Sequence, residues 1–143
     1  MSDLISVIIP AYNAGKFIKS TLESVINQDY ENIEIILVDD VCTDNTMKIA
    51  EDVLKNSGRK FKIIHHEVNK GTCTARNTGL KNASGKYLNF MDHDDLLRKN
   101  FLSSLYNAIS NNDFVFCGIV DKFQDKKIKR APLKIGGGYD LFR

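Results

Sequence analysis

The sequence predicts an α/β fold of three layers, with helices on both sides of a mostly parallel central sheet. Two observations carry this. Short apolar, β-branched runs recur along the chain, and segments with helical periodicity separate them in regular alternation. Strands alternating with helices of this length make βαβ units, whose crossovers are right-handed.

The first run, LISVII at 4–9, is stopped by Pro10 and reads as a buried strand. A helix fits 14–28, because Phe17, Ile18, Leu22, Val25 and Ile26 share one face and Asn13 can cap it. IEIILVDD at 33–40 is a second buried strand that ends in two acids. Thr43 or Asp44 can cap the next helix, whose stripe is Met47, Ala50, Val53 and Leu54, with Gly58 beyond its end.

FKIIHH at 61–66 is the third strand. A helix at 72–83 turns small residues inward, Ala75, Gly79 and Ala83 with Leu80, and Gly85 stands where a terminating glycine is expected. KYLNFM at 86–91 is the fourth strand, and Phe101, Leu102, Leu105, Tyr106 and Ile109 mark a fourth, amphipathic helix. FVFCGIV at 114–120 is a fifth strand; after it the pattern weakens, and GGGYDLFR at 136–143 has no periodicity.

Composition narrows the function classes. The chain is 43% hydrophobic and 27% charged with a net charge of +2, which is ordinary for a soluble globular domain and gives no footprint for nucleic acid. The densest basic stretch, DKKIKR at 125–130, reads as a solvated loop or strand edge. Cys42, Cys73 and Cys117 are odd in number and lack metal-ligand spacing, which points to a reducing compartment; Cys73 and Cys117 read as small core residues. MSDLISVIIP lacks the basic start of a signal peptide, and no run approaches the ~20 apolar residues of a membrane span. The expected location is the cytoplasm, with membrane association only through parts outside this chain.

In open parallel sheets, ligands bind beyond the carboxyl ends of the strands. Four strands here end in polar or special residues: PAYN, Asp39 and Asp40, NKG at 69–71, and DHDD at 92–95. Paired acids accept hydrogen bonds from a base or from ribose hydroxyls, and Tyr12 offers a ring for stacking. Lys70 and Gly71 ahead of a helix make a natural phosphate site. Asp92, Asp94 and Asp95 repel one another with no Lys or Arg in the run, and their hard oxygens suit Mg²⁺ or Mn²⁺ carried with a substrate's phosphates. There is no P-loop and no GxGxxG. His65 and His66 read as strand-end residues rather than metal ligands. A phosphoacceptor receiver domain would need acids after the first strand, where this chain has PAYN.

The stretches SVIIPAYNAGKFIKSTLESVINQDYENIEIILVDD and NKGTCTARNTGLKNASGKYLNFMDHDD resemble the family 2 glycosyltransferases, which have the GT-A fold, collinearly over about residues 4–120. The resemblance implies transfer of a sugar from a nucleotide diphosphate donor, commonly a UDP-sugar, to a hydroxyl of a glycan or lipid-linked acceptor, with inversion, and a role in bacterial cell-surface polysaccharide synthesis. It implies that Pro10, Ala11 and Tyr12 line the nucleotide pocket, and that Asp39 and Asp40 hold the base, Asp40 foremost. It further implies that Lys70, Gly71 and Arg76 close over the nucleotide. Asp92 and His93 then face the ribose or donor sugar, and Asp94, with Asp92 or Asp95, reaches the Mn²⁺ or Mg²⁺.

The catalytic base of such enzymes lies well downstream of D-x-D, so residues 1–121 are expected to form the donor-binding core and 122–143 the start of an acceptor-side region. Asp121, Asp125 and Asp140 are not convincing bases, and the resemblance implies that the base is to be expected downstream of Arg143. The alternative is a module that binds UDP-sugar without transferring it. One local departure stands out. Where the family usually has a small pair after the acids, this chain has Val41 and Cys42, and Val41 is expected to alter a turn that needs positive φ.

Overall fold

A computed structural model describes residues 2–109, 112–115, 117, 119–123 and 126–130. Its elements are β1 (Ile5–Ala11), α1 (Ile18–Ile26), β2 (Ile33–Asp39), α2 (Thr46–Lys55), β3 (Lys60–His65), α3 (Gly71–Asn82), β4 (Tyr87–Phe90), α4 (Phe101–Ile109), β5 (Ile119–Phe123) and β6 (Lys126–Arg130). The first four strands form one parallel sheet in the order β3-β2-β1-β4. Every residue of β1 and β2 is buried, as a parallel strand covered on both faces must be. The crossovers from β1 to β2 and from β2 to β3 run one way across the sheet, and the crossover to β4 runs back. Right-handed connections therefore put α1 and α2 on one face and α3 on the other.

Small residues set the helix-to-sheet distance. A Cβ on Gly79 would lie 2.3 Å from Ile8 Cγ2, so only glycine lets α3 sit against β1. Leu80 lies on the opposite side of that helix and is exposed, because the face toward the sheet is already filled by Ala75 and Gly79. Gly85 does not terminate the helix: Ala83 is the extended C-cap, and Gly85 allows close approach to Ser6 and Leu4 of the neighbouring strand.

The buried polar pair near the start of the two central strands, Ser6 and Glu34, is satisfied within the protein. Glu34, buried in β2, accepts hydrogen bonds from Ser6 Oγ at 2.6 Å, Ser84 N at 2.6 Å and Ser84 Oγ at 2.8 Å, with Lys62 Nζ at 3.7 Å. Burial pushes its carboxyl up, but these bonds outweigh it and hold the group below its ordinary value. This network lies near the strand N-termini, the opposite end of the sheet from the acid-rich loops.

Three boundaries differ from expectation. Helix α1 starts at Ile18, since Asn13 adopts φ 47° and turns its side chain to another loop instead of capping. Helix α2 has Asn45 as its N-cap, and Asp44, one position earlier, accepts the Thr46 N–H at 2.9 Å. The fifth strand begins at Ile119, not at 114, and pairs antiparallel with β6 outside the parallel sheet; the basic run supplies β6. Cys73 and Cys117 are exposed, not core. The chain divides into two compact units, Met1–Ser103 and Ser104–Arg143. Asp125, Asp140 and the glycines at 136–138 lie outside the described residues.

Candidate functional site

The polar residues picked out by the sequence follow the C-terminal ends of the four parallel strands. Asp40, just past β2, is 3% exposed and has no free oxygen. Its Oδ1 accepts the Lys70 N–H at 2.8 Å and lies 2.8 Å from His66 Nδ1, and its Oδ2 accepts the Gly71 N–H at 2.8 Å. Its main-chain oxygen accepts from Asn69 Nδ2 at 3.0 Å. Since a carboxylate only accepts, His66 Nδ1 carries the proton; a neutral ring then accepts from Thr78 Oγ1 through Nε2 at 2.8 Å. Burial pushes the Asp40 carboxyl up, and the bonds from Lys70, His66 and Gly71 outweigh it, so the carboxyl sits below the ordinary aspartate value.

This arrangement adds to two expectations. The anion at the N-terminus of α3 is Asp40 itself, drawn there by the unpaired N–H groups and the helix dipole. His66, directly after β3 at the strand end read from the sequence, is in addition the buried partner that fixes Asp40. Gly71, at φ 78°, makes the sharp entry that aims both N–H groups at one carboxylate.

Asp39 is paired more loosely. Its Oδ1 accepts the Cys42 N–H at 2.8 Å, and its Oδ2 meets His65 Nδ1 at 2.8 Å, the His65 side chain being 57% exposed. Burial raises the Asp39 carboxyl, and the bonds from Cys42 and His65 bring it below its ordinary value. Cys42 is pushed up to about 12 by burial and by Asp39, and its thiol lies 3.5 Å from the Ala11 carbonyl.

The turn at Val41 does adopt φ 68°, so the backbone keeps the left-handed conformation despite the β-branched side chain. The loops after β1 and β2 are tied across this point. Asn13 Oδ1 accepts from Thr43 N, Asp44 Oδ2 from Gly15 N at 3.0 Å, and Thr46 Oγ1 from Ala14 N at 2.7 Å. Tyr12, in the same loop, is 48% exposed, while Ala11 is buried and Pro10 runs in the buried strand.

The acids after β4 are not equivalent. Arg76, one turn and a half into α3, reaches Asp92 Oδ1 at 2.5 Å. The cation that the run itself lacked thus arrives from another element. His93 donates from Nδ1 to the Pro10 carbonyl at 3.1 Å, because a carbonyl only accepts, which leaves Nε2 as the free ring nitrogen when the ring is neutral. The Asp95 N–H closes the turn on the Asp92 carbonyl at 3.2 Å. Asp94 is exposed, and no hydrogen bond or ion pair holds its carboxylate among the described residues. No group of three acidic, histidine or cysteine side chains converges as a metal cage among the described residues. One or two carboxylates on a turn are nonetheless the protein share that Mg²⁺ or Mn²⁺ takes when it comes with phosphates, so the donor set fits such an ion.

Sequence reasoning missed the residues that hold this turn. Thr21 donates to the His93 carbonyl at 2.8 Å, Ser24 Oγ accepts the Leu97 N–H at 3.1 Å, and Gln28 spans to Arg98 O and Leu102 N. Their spacing along α1 is a polar stripe beside the apolar one, and it was legible. Arg59 was not legible; its guanidinium gathers the carbonyls of Ile26, Gln28 and Glu31 at the C-terminal end of α1, far from it in sequence.

Comparison with known proteins bears on what such a site does. The sequence profile described as Glycosyl transferase family 2 matches residues 6–141. Glycosyltransferase GlyG of Streptococcus pneumoniae is 39% identical over 113 residues, which are 79% of this chain and 37% of GlyG. Uncharacterized glycosyltransferase EpsJ of Bacillus subtilis is 38% identical over 92% of this chain and 38% of its own length. The chain therefore spans less than half the length of these curated relatives. Among solved structures, residues 1–349 of S. aureus TarS in complex with UDP match with a TM-score of 0.69 and 36% identity, over 75% of this chain and 32% of that one. The mannosyltransferase PcManGT from Pyrobaculum calidifontis, in complex with GDP-Man and Mn²⁺, matches with a TM-score of 0.66 and 27% identity, over 73% of this chain and 31% of that one. The GT-A form of α/β fold expected from the sequence is the fold of these structures.

Proposed function

Because the chain belongs to glycosyl transferase family 2, we propose that it is the donor-binding part of an enzyme that moves a sugar from UDP to an acceptor hydroxyl. The observation that carries this reading is the turn after β4: Asp92 is held by Arg76, and beside it Asp94 stands exposed with no partner among the described residues. UDP is preferred because TarS structures hold UDP and UDP-GlcNAc.

In this reading Tyr12 stacks on the base, and Pro10 and Ala11 form the floor of the pocket. Asp39 is better placed than Asp40 for a polar contact with the nucleoside, since its histidine partner is exposed and Asp40 is closed off. Lys70 and Arg76 face the diphosphate, while Gly71 shapes the loop. Asp94, with Asp92 or Asp95, would hold Mn²⁺ or Mg²⁺, and a bound ion supplies Lewis-acid neutralisation of the diphosphate. His93 presents Nε2 toward the donor, its other nitrogen fixed on Pro10.

The acceptor-side base belongs to a region downstream of the donor half. Inversion, a glycan or lipid-linked acceptor, and work at the cytoplasmic face of a bacterial membrane in surface polysaccharide synthesis complete the proposal on family grounds. Among the described residues no helix is long and apolar enough to cross a membrane.

Calorimetry with UDP, with and without Mn²⁺, tests the reading. Wild-type chain should bind UDP in a Mn²⁺-dependent manner. Asp94→Ala should remove that dependence at an unchanged melting temperature, because an exposed loop carboxylate is lost and no core contact with it. UDP binding with undiminished metal dependence in Asp94→Ala would refute the site assignment. Binding without turnover in a longer chain would leave a donor-binding module.

A further inference from the structure

We propose that Thr21, Ser24 and Gln28 are positioning residues for the acid turn, and that α1 serves as the rail on which that turn is set. The inference rests on the donor-site reading above. These three side chains recur at intervals of three and four residues, so they share one face of the helix and its immediate extension. Each makes at least one hydrogen bond to main-chain atoms between residues 93 and 102, while Ser24 Oγ also donates to Thr21 O and Gln28 Nε2 to Ser24 O.

Thr21, fully buried, donates its hydroxyl to the carbonyl of His93 at 2.8 Å. Ser24 accepts the Leu97 N–H at 3.1 Å. Buried Gln28 uses both ends of its amide: Nε2 donates to Arg98 O at 2.8 Å, and Oε1 accepts the Leu102 N–H at 3.0 Å. The Asp29 N–H adds a main-chain bond to Lys99 O at 3.0 Å.

Residues 91–100 form neither helix nor strand, so no ladder of their own fixes them. Beside local bonds such as Asp95 N–H to Asp92 O, several of their backbone polar groups find partners on α1 and just beyond its end. The contact that matters most is at His93, which lies between Asp92 and Asp94. Its carbonyl is held by Thr21 and its ring by the Pro10 carbonyl, so the residue that separates the two carboxylates is fixed from two elements. Rotating this peptide would swing Asp94 relative to Asp92, whose own side chain is tied to Arg76. Thr21 thus acts through the backbone on the carboxylate spacing, without touching the donor.

The variant Thr21→Val keeps the volume and removes the hydroxyl. We expect its Kd for UDP in the presence of Mn²⁺ to rise about tenfold, the size of one buried carbonyl left unpaired. The Mn²⁺ concentration that half-saturates UDP binding should rise with it. Thr21→Ser restores the hydroxyl and should restore both values. Tyr30→Phe removes a buried hydroxyl bonded to the Asp3 carbonyl at another edge, and should leave both unchanged. Far-UV dichroism and melting curves accompany each protein, and Ser24→Ala decides the matter if Thr21→Val does not fold.

Wild-type affinity and Mn²⁺ half-saturation in Thr21→Val, or in Ser24→Ala where it stands in, would overturn the rail. So would a failure of Thr21→Ser to restore them. Absence of UDP binding in the folded wild-type chain would instead overturn the donor-site reading, and the rail with it.

Discussion

Arg76 on α3 grips Asp92 in the turn after β4 at 2.5 Å, so the helix that Asp40 anchors at its first residues reaches the acid turn one and a half turns later. Both side chains are partly exposed, at 37% and 49%, and such pairs add little to stability, about 0–1 kcal/mol. The contact orders the site more than it holds the fold.

Replacing Arg76 with Met should therefore leave the melting temperature within a few degrees, while Mn²⁺-dependent UDP affinity falls about tenfold as a charged contact is lost. Calorimetry beside a melting curve reads both. A large loss of stability with unchanged UDP affinity would make the pair structural instead.

Asp40→Asn should do the reverse. An amide cannot accept from Lys70 N, Gly71 N and His66 together, and its NH₂ would face a backbone N–H. The expected cost is about 2–4 kcal/mol in urea unfolding, from a buried network broken at its acceptor. Native stability with UDP binding abolished would show that the carboxylate serves the nucleotide directly.

Val41→Gly should stabilise the protein. A left-handed conformation costs a non-glycine residue about 1–2 kcal/mol, and glycine gives back about 0.4–1 kcal/mol through its looser unfolded state. A net gain of about 0.5–1 kcal/mol in urea unfolding is expected at φ 68°. No gain, or a loss, would mean that the valine side chain contributes packing that outweighs the strain.

Acid should weaken the fold through identifiable groups. Glu34, Asp39 and Asp40 are all held below their ordinary values of 4.5 for Glu and 3.8 for Asp. A carboxyl depressed by folding contributes stability above its unfolded pKa and loses it as pH falls toward the folded one. The urea midpoint should stay level from about pH 7 to about pH 5 and drop below that, with a shallower acid limb in Glu34→Gln. A midpoint that rises on acidification would contradict the shared direction of the three shifts.

Most of the parallel sheet was legible because burial on both faces leaves a mark in sequence: LISVII and IEIILVD admit little but apolar residues where every position is covered. The fifth strand was misplaced for the same reason. FVFCGIV has the composition of a buried strand, yet strand formation starts only at Ile119 and uses the basic run as its partner. Helix ends were the weakest reading: Asn13 spends its cap chemistry across loops, and Asp44 divides its own between Thr46 N at the start of α2 and Gly15 N.

By itself, then, the sequence determined the alternation of strands and helices, the parallel sheet, the family, and the four strand ends where polar residues gather. Those follow from periodicity and local composition. Only the tertiary structure decided who pairs with whom: that His66, Lys70 and Gly71 close around Asp40, that Arg76 supplies the charge missing from the acid run, and that Thr21 holds the peptide between Asp92 and Asp94. A hydrogen bond is a matter of an ångström and a direction. Residues as far apart as Thr21 and His93, 72 positions along the chain, meet that condition only after the sheet register and the helix-to-sheet distance set by Gly79 have fixed where their backbones lie.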